Sequence, residues 1–432
     1  MVQSSITPLP DAVAPTGVRH GVLAFTLALT AVAYLDRVCI ATAAPAMKAD
    51  LGLSDAQMGY VFSAFTFAYA LFEVPSGWLA DRFGARLMLT RIVVWWSAMT
   101  AATGIAGGFT SLFAVRFLFG AGEAGTFPSI ARVYARWLPV RERGRAFGLA
   151  LMTAALGGAV TQPLVASLLR LVHWRLTFPL FGGVGVLWAA AWFRWFREDP
   201  HQHPAVNVAE RQLLARECAE LAAAHSAVPW RALLRSRSLW VVCMMYGTAI
   251  YGWYFYITWL PTYLQRARGF DPQQAGWLAA LPLVSIAGGV SLGGWLSDVL
   301  AHRWGVRAGR RAPGLVGLPL AALAVAGAVF TDSPGLAAGL LAAAAGLAAL
   351  GVSPAWAVCL DIGGRHAGVV SGTMNTFGNL GGALSPVIFG QSLAAWGRWD
   401  VPLLSVAALY LVAAACWLGI DPGDAIASRG HR

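Results

Sequence analysis

The chain has 432 residues and a formal net charge of +11, with 58% hydrophobic residues and only 12% charged ones. Soluble domains carry about 25% charged residues, and a soluble chain of this length would form two or three globular domains with charged surfaces; only one loop here is polar enough for that. Nucleic-acid binding is disfavoured as well, because the arginines sit in short gaps between apolar runs, where the positive-inside rule places them, and not in a stripe among aromatics.

A polar segment precedes the first apolar run and no cleavage site follows it, so no signal peptide is expected. A membrane helix needs about 20 mostly apolar residues. That ruler predicts an all-α integral membrane protein with spans near 20–45, 56–80, 86–107, 110–138, 145–171 and 176–197. A polar loop at 198–237 follows, containing a Glu-, Arg- and Ala-rich stretch at 209–224 that reads as a solvated surface helix. Six more spans are predicted near 238–265, 272–300, 312–331, 335–360, 367–393 and 399–420. The expected organisation is a tail at 1–19, a six-helix bundle at 20–197, a linker at 198–237, a second bundle at 238–420 and a tail at 421–432. With the N-terminus in the cytoplasm, most arginines fall on inner loops, among them Arg82, Arg86, the cluster Arg141, Arg143 and Arg145, and the run Arg303, Arg307, Arg310 and Arg311. Both tails and the linker are therefore expected in the cytoplasm.

The chain repeats itself. Gly77-Trp78-Leu79-Ala80-Asp81 ends the second span and Gly294-Trp295-Leu296-Ser297-Asp298 ends the eighth. Two six-helix halves with a substrate site between them is the architecture this implies. Glycines at these turns permit tight connections, and the Asp and Arg residues suit charge-assisted bonds that latch one side. Gly77, Asp81, Arg82, Gly84, Arg86 and Asp298 are the expected cytoplasmic gate.

Ionisable residues inside spans are costly and mark function. Span 1 carries Asp36 and Arg37 after Tyr34, and span 4 carries Arg116 and Glu123 among the small residues Gly120, Gly122 and Gly125. Arg116 and Glu123, seven apart, share a helical face at a separation of about 10 Å, too far for a direct bond. Asp36 beside Arg37 reads either as a self-neutralising packing pair or as a proton site beside an anion site. The second half shows no obvious mid-span charge but is rich in aromatics, Tyr246, Tyr251, Trp253, Tyr254, Tyr256 and Trp259 among them. Cys39, Cys218, Cys243, Cys359 and Cys416 are scattered, so neither a disulfide framework nor a metal site is expected. His173 and Arg175 read as structural loop residues, and Asp361 with Arg365 as part of a cytoplasmic network. No nucleophile–base set or phosphate-binding loop is present, so neither an enzyme nor ATP-driven transport is expected.

The run from Gly77 to Arg86 resembles the loop signature of the major facilitator superfamily, and Arg116 with the following glycines resembles its fourth-helix motif. Tyr34-Leu35-Asp36-Arg37, Ala43-Ala44-Pro45, Tyr69, Glu123, His173-Trp174-Arg175 with Phe178, and the stretch Ser371 to Gly382 are similar to one branch, the anion:cation symporters. That branch carries galactonate, hexuronates, glucarate, aromatic acids, glutamate and sialic acid. The resemblance implies that Asp36 and Glu123 take up protons, that Arg116 couples them to substrate, and that Arg37 binds the substrate carboxylate. Tyr34, Tyr69, Gln162, Ser353, Trp356 and Asn375 are the implied substrate-binding or orienting groups. Ala355, between Ser353 and Trp356, offers no hydrogen bond, a departure that counts against a sugar acid if such a carrier needs a polar residue there.

The function expected is proton-coupled import of a small organic carboxylate, most simply a sugar acid such as a hexonate, hexuronate or aldarate. A carboxyl group taken out of water favours its neutral form and a nearby arginine opposes that; an anion on Arg37 removes the opposition, which couples anion to proton. The competing expectations are an exchanger or uniporter of aromatic or dicarboxylic acids without net proton movement, and a non-transporting sensor. The expected setting is a monomer in a bacterial cytoplasmic (inner) membrane, the arginine bias reading as a GC-rich source. The proton gradient is the energy supply, with no bound cofactor.

Overall fold

A computed structural model describes residues 14–214, 233–364 and 367–423; the side chains of Val74, Asp81, Val140 and Arg141 also lie outside the described set. Much of the 209–224 stretch, Cys218, Arg365 and parts of both tails therefore fall outside it too.

The first half holds α1 (Val18–Leu51), α2 (Asp55–Phe83), α3 (Ala85–Thr103), α4 (Phe109–Glu123), α5 (Thr126–Trp137), α6 (Val140–Leu168) and α7 (Trp174–Trp195). The second holds α8 (Arg237–Thr258), α9 (Leu260–Arg266), α10 (Pro272–Trp304), α11 (Val306–Phe330), α12 (Pro334–Ala349), α13 (Val352–Gly363), α14 (Ala367–Trp396) and α15 (Asp400–Gly419). Taking α4–α5, α8–α9 and α12–α13 as interrupted single crossings, the described residues cross twelve times, six on each side of the linker. Seven crossings are long and apolar enough to span a bilayer by length and composition alone. The helix carrying Glu73 and the interrupted one carrying Arg116 and Glu123 are not among them.

Local chemistry sets the boundaries. Ser54 and Gln57 form a reciprocal capping box at the start of α2. Asp271 caps α10, whose first residue is Pro272, and Ser333 caps α12, whose first residue is Pro334. The repeat seen in sequence is also a backbone repeat. Gly84 joins α2 to α3 at φ 83° and ψ 154°, and Gly305 joins α10 to α11 at φ 86° and ψ 158°, a region that glycine enters without steric penalty.

The spans expected to be continuous at 110–138, 238–265 and 335–360 are each interrupted. The first break follows Glu123: Ala124 turns extended and Gly125 sits at φ 89°. A Cβ on Gly125 would lie 2.5 Å from Cβ of Ser76, so α2 passes too close for any side chain there. Periodicity alone did not reveal these breaks because the residues on both sides remain apolar.

The face that holds the start of α1, the α2–α3 turn and the linker carries most arginines and is termed the basic face. The halves meet on the opposite face. There α2 lies against α14 and α6 against α10. A Cβ on Gly59 would lie 2.4 Å from the Pro386 carbonyl, so two backbones touch. Gln391 donates to the Tyr60 hydroxyl at 2.7 Å, Arg266 to Asp55 at 2.7 Å and Arg170 to Gln273 at 2.8 Å, all between halves. The seam reaches the middle of the bundle, where Asn375 of α14 donates to Glu73 of α2 at 2.8 Å.

Candidate functional site

Arg37 is the centre of the site. Consecutive helical residues point about 100° apart, so Asp36 and Arg37 face different neighbours and are not a self-neutralising pair. Arg37 turns toward α4, where its Nε donates to Glu123 Oε1 at 2.8 Å and Nη2 lies 2.6 Å from the same oxygen. The sequence placed the nearest arginine two turns from Glu123; the tertiary fold brings one into direct contact from another helix. The break after Glu123 explains the need. A helix C-terminus carries partial negative charge, so a carboxylate there is unfavourable without a cation.

Three aromatic faces surround the Arg37 guanidinium: Tyr34 at 5.2 Å, Phe65 at 5.0 Å and Tyr69 at 4.8 Å. Such faces attract a cation while excluding water. Arg116, 3% exposed, lies over Phe119 at 4.5 Å and Phe65 at 5.2 Å. As expected, it makes no direct bond to Glu123, although Glu123 and Asp36 are both within its electrostatic reach. Asp36 is fully buried, and neither carboxylate oxygen has a hydrogen-bond partner among the described residues; Thr100 and Trp96 are the polar groups facing it. Glu123 Oε2 is likewise unmatched.

The second half contributes uncharged groups. Trp356 donates from Nε1 to the Tyr246 hydroxyl at 3.3 Å, with the rings edge to face. The Tyr254 hydroxyl donates to Asn379 Oδ1 at 3.5 Å and faces Arg37. Asn375, expected to meet substrate, is engaged by Glu73, whose other oxygen accepts from Asn379 at 3.4 Å. Glu73 escaped the sequence reading. Its signal was there: a lone acid in span 2, one turn after Tyr69.

Two expected site residues are turned elsewhere. Gln162 is fully buried at the seam, where its side-chain oxygen accepts from the Thr42 hydroxyl. Ser353 donates to the Val290 carbonyl at 2.8 Å and packs beside Gly294, a helix-packing contact rather than part of the cluster around Arg37.

On the basic face, Gly77 packs against Pro128, and Arg82 is exposed over Trp78 at 5.6 Å and Phe83 at 5.7 Å. Glu198, at the start of the linker, is an unforeseen hub. It accepts from the Arg86 amide at 3.0 Å and from Arg132 at 3.2 Å, and lies 3.4 Å from Arg136. In the second half Arg310 donates to Asp298 at 2.8 Å and to Asp361 at 3.0 Å. Each of these networks lies within one half. The Asp81 side chain is outside the described set. Arg175 reaches the Gly104 and Ala106 carbonyls and Asp50, clamping the loop as expected of a structural residue.

A paired-repeat bundle with charges at mid-depth and a binding surface between its halves is transporter architecture. A family model described as Major Facilitator Superfamily matches residues 26–386. The chain belongs to the major facilitator superfamily. It is 38% identical over 408 residues to the probable sulfoacetate transporter SauU of Cupriavidus necator, covering 94% of each chain. It is 33% identical over 436 residues to the probable galactarate/D-glucarate transporter GudP of Bacillus subtilis, covering 96% of this chain and 94% of the other. Among solved structures, a bacterial homologue of the human lysosomal transporter Spinster, in an inward-facing and occupied conformation, matches with a TM-score of 0.77 at 20% identity, over 93% of this chain and 96% of that one. This facilitator is thus an integral membrane protein of two pseudo-symmetric halves, and its relatives include probable organic anion transporters, as the motifs led one to expect.

Proposed function

We propose that this facilitator is a proton-coupled symporter that imports a small organic acid anion through a bacterial inner membrane, with both termini in the cytoplasm. The observation that carries the reading is the buried Arg37–Glu123 pair beside the unpartnered Asp36. Arg37 holds an internal carboxylate where a substrate carboxylate would bind. An incoming anion displaces Glu123, and a freed carboxylate buried at a helix C-terminus is costly. A proton removes that cost, so anion and proton enter together. Arg116, within electrostatic reach of both Asp36 and Glu123, would respond to the charge on each.

The position of the seam supports the direction. The halves are pinned on the face away from the arginines, which leaves the site addressed to the cytoplasm in this state. Breaking the opposite-face contacts and forming new ones on the basic face, where Arg86, Glu198 and Asp298 lie, would turn the site outward. One chain holds both sides of the site, so transport requires no second copy. The names of the relatives, which include a sulfoacetate and a galactarate/D-glucarate transporter, support a small acidic substrate. Sugar acids remain the first class to test.

The test is uptake into vesicles containing the purified protein, with D-glucarate, D-galactonate and sulfoacetate as probes. An inward proton gradient should drive accumulation of at least one of them, and a protonophore should abolish it. Exchange that proceeds equally well without a pH gradient would replace this reading with that of an anion exchanger.

A further inference from the structure

Glu73 is a buried acid that the transport cycle above does not use. It lies mid-span on α2 and is 9% exposed. Its two oxygens accept from Asn375 at 2.8 Å and Asn379 at 3.4 Å, one turn apart on α14, so one carboxylate is gripped by two amides across the seam. The chemistry parallels that of Glu123 on Arg37. In each case an internal carboxylate occupies donors that suit a carboxylate from outside. A simple tie between the halves needs no charge, because an uncharged contact there would hold them without taking a carboxylate out of water.

The two donor sets are neighbours. Tyr69 stacks on Arg37 at 4.8 Å, and Glu73 follows Tyr69 by one turn, about 6 Å along the helix axis. One set belongs to the first half and the other to the second. A ligand held by both therefore carries an acidic group at each end, and its binding draws the halves together.

We propose that Asn375 and Asn379 form a second anion subsite, covered by Glu73 in this state, and that the transported species is a small dianion with one acidic group on Arg37 and the other on this pair. The inference rests on the symport reading. In the cycle a proton from the outer side adds to the Glu73 carboxylate, and the neutral acid releases the amides to the ligand. On the cytoplasmic side the proton leaves, the carboxylate retakes the amides, and the anion is expelled. The ligand's two charges match the buried Arg37 and Arg116, so the acid at position 73 must be neutral while the ligand is bound.

The groups facing Glu73 fit this role. Arg37 of α1 is the cation within its electrostatic reach, and Tyr69 is the titratable neighbour on α2 itself. α14 presents the two uncharged amides, and α8 presents Tyr254, bonded to Asn379. The charged residues of α4 are engaged by other groups: Arg116 lies against Phe65, and Glu123 is bonded to Arg37. From α5, Arg132 and Arg136 are bound to Glu198 at the start of the linker.

The experiment compares D-glucarate, with two carboxylates, and D-galactonate, with one, by titration calorimetry on the full-length purified protein between pH 5.5 and 8. Glucarate affinity should fall with rising pH more steeply than galactonate affinity, by up to about tenfold per pH unit for one extra proton. In Glu73→Gln the glucarate slope should fall to that of galactonate and its affinity at pH 8 should rise, while Asn375→Leu should weaken glucarate selectively. A Glu73→Gln variant that keeps the extra slope would overturn the inference, as would binding of galactonate but not glucarate. A second measurement needs no variant: in weak buffer, wild-type protein should take up one more proton with glucarate than with galactonate, and equal counts refute the proposal. If neither acid binds or is taken up, the symport reading itself falls, and this inference with it; if both are taken up with equal proton counts, only the inference falls.

Discussion

α4–α5 in the first half and α12–α13 in the second are interrupted at corresponding crossings, but they do different things. The first break places Gly125 at φ 89° and leaves Glu123 at the end of α4, bonded to Arg37. The second, at Leu350 and Gly351, stays in the right-handed helical region and carries no ionisable residue. The same division runs through the whole site. Asp36, Arg37, Glu73, Arg116 and Glu123 all belong to the first half, whereas the second supplies Tyr246, Tyr254, Trp356, Asn375 and Asn379. Two halves with a common backbone plan can thus divide labour, one holding charge and the other shape. Concentrating the charges lets Arg37 and Glu123 pair when substrate is absent, which lowers the cost of keeping those two out of water.

If charge in the first half is the engine, Arg37→Ala should have the largest effect. It removes the cation that would pair with the substrate carboxylate, a loss of about 3 kcal/mol or more, equivalent to ~100-fold or greater in affinity. Binding and uptake of every acid tested should vanish while the protein remains membrane-inserted and monodisperse. Arg37→Lys should rescue poorly, because an ammonium lacks the planar fork that pairs with a carboxylate. Near wild-type uptake by Arg37→Ala would break the comparison outright.

Glu123→Gln separates the two tasks of the first half. The variant keeps size and hydrogen-bonding capacity but cannot cycle a proton. Accumulation driven by a pH gradient should be lost, and counterflow exchange should continue. Accumulation that survives in paired vesicle assays would move the proton role to Asp36 or Glu73.

On the basic face, Arg86→Ala or Glu198→Gln should slow uptake several-fold with little change in equilibrium affinity, because in the proposed cycle these groups bias the balance between states without touching the site. A large affinity loss at unchanged maximal rate would contradict that placement. In the second half, Trp356→Phe removes the donor to the Tyr246 hydroxyl and keeps a smaller aromatic ring. It should weaken binding about 3- to 10-fold, in keeping with about 1 kcal/mol for one hydrogen bond, and should leave the pH dependence of uptake unshifted.

The smallest effect is expected at the linker. Glu210 is buried against the start of α1, where it accepts from the Thr16 hydroxyl and from the amides of Val18 and Arg19 at 3.2 Å each. Burial pushes its carboxyl up, but the bonds from Thr16, Arg19 and Val18 outweigh burial and hold it below the ordinary carboxylate range. This docking therefore contributes stability above that range and loses it only as pH falls through the depressed value. Between pH 5.5 and 8 its charge is constant, so Glu210→Gln should lower thermal stability without moving the pH profile of uptake. A shifted profile would show that the linker takes part in proton coupling.

Much of this molecule was legible from residue order alone. Apolar runs of bilayer length dictate membrane helices because lipid offers no hydrogen bonds to a bare backbone. The Gly77–Asp81 and Gly294–Asp298 repeat announces two halves, and charged residues at 36, 37, 116 and 123 announce a site because no lipid-facing position tolerates them. Pairing was not legible. Sequence adjacency suggested Asp36 with Arg37, whereas helical geometry turns Arg37 toward Glu123, 86 positions away. Glu198 became a hub only because the linker folds back beneath α3 and α5. Glu73 stood alone in its span until α14 brought two asparagines to it, more than 300 positions on. The sequence determined which groups lie in the membrane, since that depends on composition and length along one chain. Only the tertiary structure decided which of them meet, since that depends on the crossing of helices distant in sequence.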